Sequence, residues 1–257
     1  MAGLVFDAAG NLYGATSQGG NSTCGQGCGT VFELSPSSSG WTKKTLHSFS
    51  FSTSANLGGI YPVGGVILDA SGNIYGTLSQ GASTTCNPGS GCGSVFRLTK
   101  GSVGYTFNLL YPFQGPRGQQ PINNLVMDAA GNLYGTTPYG GPTQSGLVFE
   151  LSPTTQGQWK ETLLHVFNGT TEGFFPQAVT IDAAGNIYGT SNGVAFRLTP
   201  SSGGWQFQIL SRLSSGDSSN APLLRDANAN MYGVTYTGGS QTAGTVYELS
   251  PSITAAK

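Results

Sequence analysis

One short motif, Asp-x-x-Gly-Asn-(Leu/Ile/Met)-Tyr-Gly, recurs along the chain and constrains its fold more than any other feature. Intact copies occupy Asp7–Gly14, Asp69–Gly76, Asp128–Gly135 and Asp182–Gly189, and a degraded copy occupies Asp226–Gly233. Self-similarity at a fixed period of roughly 20–50 residues or slightly more is the signature of repeat architectures. The sequence therefore predicts one small supersecondary unit that is built five times.

Each unit is expected to contain four short β segments. In the second unit the predicted strands are Pro62–Asp69, Asn73–Leu78, Ser94–Thr99 and Tyr105–Phe113, with a turn at Ala70–Gly72. Apolar runs of about six residues between clusters of Gly, Asn, Pro and Ser are typical of strands, and no sustained helical period occurs in the chain. A helix-free repeat of four strands is typical of a propeller blade.

The sequence thus predicts a single all-β domain over residues 1–257, a β-propeller with five blades of four antiparallel strands. The fifth blade is expected to lack its outer strand, because only six residues follow Pro251. The ring is then either closed without strand exchange or a piece of a longer array. The approximate repeats are 1–55, 56–115, 116–170, 171–216 and 217–257. The predicted outer strands are Trp41–Phe49, Tyr105–Phe113, Trp159–Phe167 and Trp205–Leu213.

Composition excludes several classes of function. Charged residues make up 8% of the chain, against about 25% in an average protein. The net charge is −1, so a large basic surface for nucleic acid is not expected. No run of 18 apolar residues that could span a membrane is present. We expect a trimmed mature domain whose export signal and anchor lie elsewhere, with no cofactor and an oligomeric state that the sequence leaves open.

Four cysteines form two local pairs, Cys24 with Cys28 and Cys86 with Cys92, at the same place in the first two units. Local disulfides would close two short polar loops, whereas a zinc site would need thiolates from two different units at unusual spacings. We therefore predict two disulfides and no metal. Disulfides indicate an oxidising compartment, here the cell surface or the extracellular space.

Beyond these features, the chain resembles the GloVer tandem-repeat family of choice-of-anchor surface proteins. The resemblance rests on Leu-x-x-Asp-Ala-Ala-Gly-Asn-Leu-Tyr-Gly-Thr-Thr followed by Gly-x-Val-Phe-Glu-Leu-Ser-Pro and Leu-His-x-Phe, nearly all of which occur in Leu125–Phe167. It implies an exported repeat protein without an assigned activity. More loosely, Asp-x-x-Gly-Asn-Ile-Tyr is similar to the NHL-type propeller repeat. Two departures from the family pattern matter: we expect no anchor or sorting tail after Lys257, and Ala229 replaces the Gly of the motif in the fifth copy.

The motif Asp and Asn residues could act as calcium ligands, but a calcium site needs six to eight oxygens, roughly, and one motif offers two or three. The alternative is that each Asp caps the turn and each Gly adopts a positive φ. His47 and His165 share one outer-strand position with Tyr111 and Ser211, which favours a packing or surface role over that of a general base.

Loops decide where a ligand could bind. The connections between strands two and three, and between successive blades, vary in length and should open on one face of the propeller, where function usually lies. Aromatic and amide side chains in those loops suit a neutral ligand, such as a glycan or a protein or peptide, although they could equally pack the mouth of the ring. The candidate ligand-binding residues are Tyr61, Gln119, Gln120, Tyr139, Phe174, Phe175, Asn220 and Tyr236.

A carbohydrate-active hydrolase or lyase at the same face is the enzymatic alternative. It would need two carboxylates about 5–9.5 Å apart. Three acids, Glu161, Glu172 and Asp217, lie outside the repeat pattern. Only Glu172 and Asp217 fall on neighbouring inter-blade loops. A structural spacer in a surface protein is the third reading.

Overall fold

A computed structural model describes residues 3–21, 23–51, 59–83, 86, 90–213, 221–241 and 243–250. It is a five-bladed β-propeller, as the repeats predict. Blades 1 to 4 are four-stranded antiparallel sheets and blade 5 is a three-stranded sheet. In every blade the strands lie side by side in chain order, so that the first strand is innermost.

The strands of the five blades, from the inner to the outer edge, have the following bounds. In the described residues they are β1 (Val5–Phe6), β2 (Leu12–Thr16), β3 (Thr30–Ser37), β4 (Gly40–Ser48); β5 (Ile67–Leu68), β6 (Ile74–Leu78), β7 (Ser94–Lys100), β8 (Tyr105–Pro112); β9 (Val126–Met127), β10 (Leu133–Thr137), β11 (Leu147–Pro153), β12 (Trp159–Val166); β13 (Val179–Ile181), β14 (Ile187–Ser191), β15 (Val194–Ser201), β16 (Gly204–Arg212); β17 (Leu224–Arg225), β18 (Met231–Thr235) and β19 (Thr245–Leu249).

Two details differ from the sequence prediction. The innermost strand of the second blade spans only Ile67–Leu68, whereas a strand over Pro62–Asp69 was predicted. Residues 62–66 instead cross from one blade to the next, with Gly64 and Gly65 packed against the backbone and side chain of Asn123 and Asn124. A single turn of 3₁₀-helix, Gly115–Arg117, lies between the second and third blades.

The turn between the first two strands is the same in all five blades. In blade 3, Oδ1 of Asp128 accepts hydrogen bonds from the backbone N–H groups of Ala130 and Asn132, each at 2.9 Å. Oδ2 accepts one from the Asn132 amide at 2.8 Å and one from the Tyr134 hydroxyl at 3.0 Å. Gly131 has a φ of +84°. The carboxylate is thus saturated by this turn, which supports the structural interpretation over calcium binding.

The fifth copy keeps the same clamp although its glycine is replaced. Ala229 adopts a φ of +67°, and Asp226 still accepts from Asn230 and Tyr232. A non-glycine residue in this region costs of the order of 1 kcal/mol. The position therefore tolerates alanine at the expense of some strain.

The core lies between the blades. One side of each blade, here called the tyrosine face, carries the motif Tyr and a small apolar residue of the third strand. In blade 3 these two residues are Tyr134 and Val148. The other side, the phenylalanine face, carries the Phe of the third strand, which in blade 4 is Phe196. Packing always joins the tyrosine face of one blade to the phenylalanine face of the next. Four such interfaces are built, the last of which buries Tyr188 against Leu223 and Met231 of blade 5.

Among the described residues, no hydrophobic cluster joins blade 5 to blade 1. Leu4 and Phe6 on the phenylalanine face of blade 1 are 51% and 64% exposed. Val246 on the tyrosine face of blade 5 is 80% exposed. Its equivalents in the other blades, Val31, Val95, Val148 and Ala195, are all 0% exposed. The two ends of the array thus present the same surfaces that are buried everywhere else.

Candidate functional site

Both sets of variable loops lie on one face of the propeller. The connection that precedes blade 2 pairs with the loop between strands two and three of the same blade, through a bridge of Ile60 with Gln80. It also contacts the corresponding loop of blade 1, because the Tyr61 N–H donates to the Cys28 carbonyl at 3.0 Å. The described inter-blade loops, which precede blades 2, 3 and 4, are each held in this way between two neighbouring loops, and together they form the floor of this face.

Three predicted site residues occupy one repeated position. Tyr61, Gln120 and Phe175 each precede a proline and adopt φ values of +59°, +55° and +53°. Residues before proline normally adopt extended conformations, and the left-handed region costs about 1–3 kcal/mol. Here it points each N–H at the preceding blade, where Gln120 donates to Cys92 and Phe175 to Ser145 at 2.8 and 2.9 Å. The strained backbone thus connects the blades and fixes where these side chains emerge.

A groove of about 510 Å³ lies on this face between blades 1 and 2. One wall is the disulfide loop of blade 1 and the other contains Tyr61, whose carbonyl accepts a hydrogen bond from the Ser79 hydroxyl at 3.0 Å. Among the described residues, no charged side chain lines this groove. The lining residues are Ser17, Gln18, Gly25, Gln26, Gly27, Tyr61, Val63, Ser79 and Gln80. Sequence reasoning found Tyr61 but missed the three glutamines, which carry no pattern that distinguishes them from other loop amides.

A second aromatic patch lies on the same face between blades 3 and 4. Tyr139 contacts Phe175 edge-on with ring centroids 5.0 Å apart, and Phe175 contacts Phe174 at the same distance. Phe174 is 41% exposed. Gln119 donates from its amide to Gln144 at 2.8 Å and from its backbone to the Tyr139 carbonyl at 3.0 Å. The structure therefore brings four of the predicted residues together here, away from Tyr61.

The remaining predicted residues do not form one site. Tyr236 is exposed on blade 5, while Asn220 and Asp217 lie outside the described residues. Glu172 is half-buried, and its Oε2 lies 3.3 Å from Nε2 of His165. Burial lowers the pKa of His165, although Glu172 opposes that effect. The proposed carboxylate pair of Glu172 and Asp217 stays a prediction.

Both histidines pack between blades, in agreement with the packing interpretation. His47 stacks on Phe107 of blade 2 with centroids 5.1 Å apart, and His165 stacks on Phe207 of blade 4 at 3.9 Å. Burial lowers the pKa of His47 as well. A neutral, stacked imidazole in this position stabilises the interface and is poorly placed to act as a general base.

Between blades 2 and 3, the place that a stacked histidine has at the other two interfaces is occupied by a polar cluster that the sequence did not reveal. Glu161, which sequence reasoning counted among the acids outside the repeat, is 8% exposed and its Oε2 accepts hydrogen bonds from Tyr111 at 2.9 Å and from Arg117 at 2.6 Å. Burial raises the pKa of Glu161 even though both donors oppose it. Burial and the nearby Glu161 raise the pKa of Tyr111 to about 12. Tyr111 occupies the position that His47 and His165 have in blades 1 and 3, and Glu161 occupies the position of their stacking partners Phe107 and Phe207. Both contacting residues therefore differ at this interface.

The cysteines form the two predicted disulfides, Cys24–Cys28 and Cys86–Cys92. Cys28 and Cys92 occupy the position of Ser145 in blade 3, whose carbonyl accepts from the next inter-blade loop. The disulfides thus hold the carbonyls that anchor Tyr61 and Gln120. Within the described part of the chain, no three His, Cys, Asp or Glu side chains are grouped as a metal site requires.

No helix in the described residues is long and apolar enough to cross a membrane. The profile of a family described as the Gloeobacter/Verrucomicrobia repeat matches residues 1–193. No functionally curated protein matches the sequence significantly.

Several solved structures are similar in fold. A virginiamycin B lyase from Staphylococcus aureus is 11% identical with a TM-score of 0.56, and the match covers 98% of this chain and 70% of that one. A luciferin-regenerating enzyme is 12% identical with a TM-score of 0.55, covering 98% and 91%. A protein of unknown function from Dyadobacter fermentans is 13% identical with a TM-score of 0.59, covering 98% and 79%. At these identities the likeness shows the propeller fold alone.

Proposed function

We propose that this chain, which belongs to the Gloeobacter/Verrucomicrobia repeat family, is an extracellular binding propeller for a neutral glycan. The observation that carries the proposal is the groove between blades 1 and 2, whose described lining combines one aromatic ring with amides and hydroxyls and includes no charged side chain. Sugars are bound in this way, because their apolar faces stack on aromatic rings and their hydroxyls exchange hydrogen bonds with amides.

Rigidity supports the same proposal. The groove wall formed by Gly25, Gln26 and Gly27 is closed by the disulfide of Cys24 with Cys28. Tyr61 is held by its N–H bond to Cys28 and by two bonds from Ser79 to its carbonyl. A site whose loops are ordered before binding loses less conformational entropy when the ligand arrives. Two disulfides also fit an oxidising environment outside the cytoplasm.

The experiment is a glycan-array screen of the wild-type chain, followed by calorimetric titration of the best ligand. We expect Tyr61→Ala to weaken binding by about 1–3 kcal/mol, the usual scale of a lost aromatic anchor. The matched control is Phe175→Ala, because Phe175 has the same backbone position in the repeat but lies in the other aromatic patch. Equal losses in both variants, or a loss only in Phe175→Ala, would reject the groove as the site.

A hydrolase or lyase at the same face is the competing function, and it would use the carboxylates of Glu172 and Asp217, of which only Glu172 lies among the described residues. Activity on pooled polysaccharides should be measured with wild type and Glu172→Gln. If Glu172→Gln abolishes a turnover that the wild type has, the protein is an enzyme. If it leaves ligand affinity unchanged and no turnover is found, the binding function stands. A peptide library screened in parallel tests whether the neutral ligand is a peptide rather than a sugar.

A further inference from the structure

Among the described residues, the outer side of blade 5 is an open groove. Blades 1 to 4 each carry an outer strand next to their third strand, but β19 has no such neighbour among the described residues. A cavity of about 700 Å³ lies between β16 of blade 4 and β19. It is bounded by Tyr188, Leu210, Ser211 and Leu249, among others. This is the space that an outer strand fills in the other blades, where successive outer strands contact one another.

We propose that this groove binds an extended polypeptide strand that carries the outer-strand pattern of this repeat. The strand would pair antiparallel with β19 and complete blade 5, which is a β-augmentation of an exposed sheet edge. The four complete blades show what such a strand must carry. It begins with an aromatic residue, has leucine at its sixth position and ends at the ninth with phenylalanine or leucine.

The aromatic residue at the first position has a defined partner. In blade 3, Trp159 contacts Tyr75 of blade 2 edge-on with centroids 6.5 Å apart, and in blade 4 Trp205 contacts Tyr134 at 6.3 Å. Tyr188 is the next member of this series, and it lines the open groove. The docked strand would therefore place its aromatic ring against Tyr188.

The contacts of the complete blades also define which side chain the third position of the strand should carry. In blades 2 and 4 this residue pairs with a leucine of the third strand, as Phe107 does with Leu98 and Phe207 with Leu198. It also meets the histidine position of the preceding blade, as Phe207 meets His165. In the groove the corresponding residues are Leu249 and Ser211. The small serine leaves room for a bulky side chain at this position.

The edge of β19 is not protected as exposed edges usually are. Native edge strands are blunted by lysine, proline or bulges, and the outer strand of blade 1 carries Lys43 and Lys44. β19 reads Thr-Val-Tyr-Glu-Leu, and its second residue, Val246, is exposed. In blade 3 the Gly146 carbonyl accepts a hydrogen bond from the Phe167 N–H of the outer strand. Alternate residues of a strand direct their backbone groups to the same side. The residue of blade 5 that corresponds to Gly146 is Gly244, so Val246 and Glu248 direct their N–H and C=O groups to the open side.

The test uses a fluorescent synthetic peptide with the sequence of residues 203–213, which has tryptophan at the first position of the pattern and phenylalanine at the third, titrated into the full chain by anisotropy. We expect saturable binding that a Trp205→Ala peptide weakens by roughly tenfold or more and that a scrambled peptide lacks. Hydrogen exchange at Val246 and Glu248 should slow on saturation, because those amides become paired. No saturable binding, or equal binding of the scrambled peptide, would overturn the proposal.

Two protein variants locate the binding. Glu248→Pro removes a donor on the open side while leaving the pairs of β18 with β19 in place, and Ser211→Arg fills the groove from blade 4. Both should abolish peptide binding, whereas Val103→Asp at a fully exposed turn should not change it. Thermal melting checks that each variant is folded, and Ser211→Arg alone decides the matter if Glu248→Pro unfolds. If the chain self-associates in sedimentation and the peptide does not bind, the open side belongs to a second copy and the proposal fails.

Discussion

Blades 3 and 5 are made from the same repeat, yet the valine on the tyrosine face of the third strand is buried in one and exposed in the other. Val148 is 0% exposed and Val246 is 80% exposed. Both strands pair in the same register with the strand before them. The difference is a neighbour: blade 4 covers Val148, and no described blade covers Val246. A blade is therefore folded by its own hydrogen bonds but stabilised by the next blade, as in other repeat proteins.

The largest effect should come from placing a charge at these two valines. Val148→Asp buries an unpaired carboxylate and should lower the free energy of unfolding by more than about 4 kcal/mol or prevent folding. Val246→Asp should change it by less than about 0.5 kcal/mol. Urea denaturation of both variants measures the difference. A large loss in Val246→Asp would mean that blade 5 is covered in solution.

Deleting a ring sharpens the same comparison on the phenylalanine face. Phe149→Ala in blade 3 removes a side chain that is 0% exposed and should cost about 3–5 kcal/mol. Phe32→Ala at the open end of the array removes a half-buried ring that contacts Lys43 and should cost about 1–2 kcal/mol. Equilibrium unfolding again provides the measurement. Equal costs would contradict the view that blade 1 lacks a neighbour on this side.

The motif carboxylates give a pH dependence. Burial raises the pKa of Asp128 and hydrogen bonds from Asn132, Tyr134 and Ala130 lower it, with a net result below the ordinary value. A lowered pKa in the folded state means that the stabilisation is present above the ordinary pKa of about 3.9 and is lost as pH falls through the folded-state value. Asp128→Asn should therefore flatten the acid limb of the curve of unfolding free energy against pH between about 5 and 2. Asp226→Asn, at the exposed end, should flatten it less, and an unchanged acid limb in Asp128→Asn would contradict the clamp.

The smallest effect in this series concerns the disulfides, which occur in blades 1 and 2 where blade 3 has Ser145. Each closes a short loop, so its loss through a double Cys24→Ser and Cys28→Ser change should cost about 2 kcal/mol or less. The same double change should reduce the free energy of glycan binding in the adjacent groove by more than it reduces the free energy of unfolding. Alkylation with intact-mass measurement should find no free thiol before reduction and four afterwards. Free thiols in the oxidised protein would remove the basis for the extracellular assignment.

Much of the fold could be predicted because the repeat signals are local. The motif Asp, Gly and Tyr act within seven residues of one another, so their spacing reveals the turn directly. The cysteine pairs were predicted correctly for the same reason. The innermost strand of blade 2 was predicted too long, because residues 62–66 directly precede the apolar Ile67–Leu68 in the sequence but connect two blades in the structure. The role of Glu161 was missed, since Tyr111 comes from blade 2 and Arg117 from the connection between blades 2 and 3.

The candidate site divides in the same way. Sequence alone identified Tyr61, Gln120 and Phe175 as loop residues, but not that they share one left-handed backbone position. It also could not place Gln18, Gln26 and Gln80 around Tyr61, because those contacts join segments about 20–60 residues apart. The predicted aromatic residues are also divided: Tyr61 lines the groove, while Tyr236 is exposed on blade 5. Tyr139, Phe174 and Phe175 form the patch between blades 3 and 4.

By itself the sequence determined the number of blades, the strand order, the clamped turns and the disulfides, all of which depend on interactions within one repeat. The tertiary structure alone decided which blade faces are covered among the described residues and where the neutral groove lies. The physical reason is that burial is a property of pairs of blades. The same valine contributes to the core or faces solvent according to its neighbour, and no residue in its own repeat records which neighbour is present.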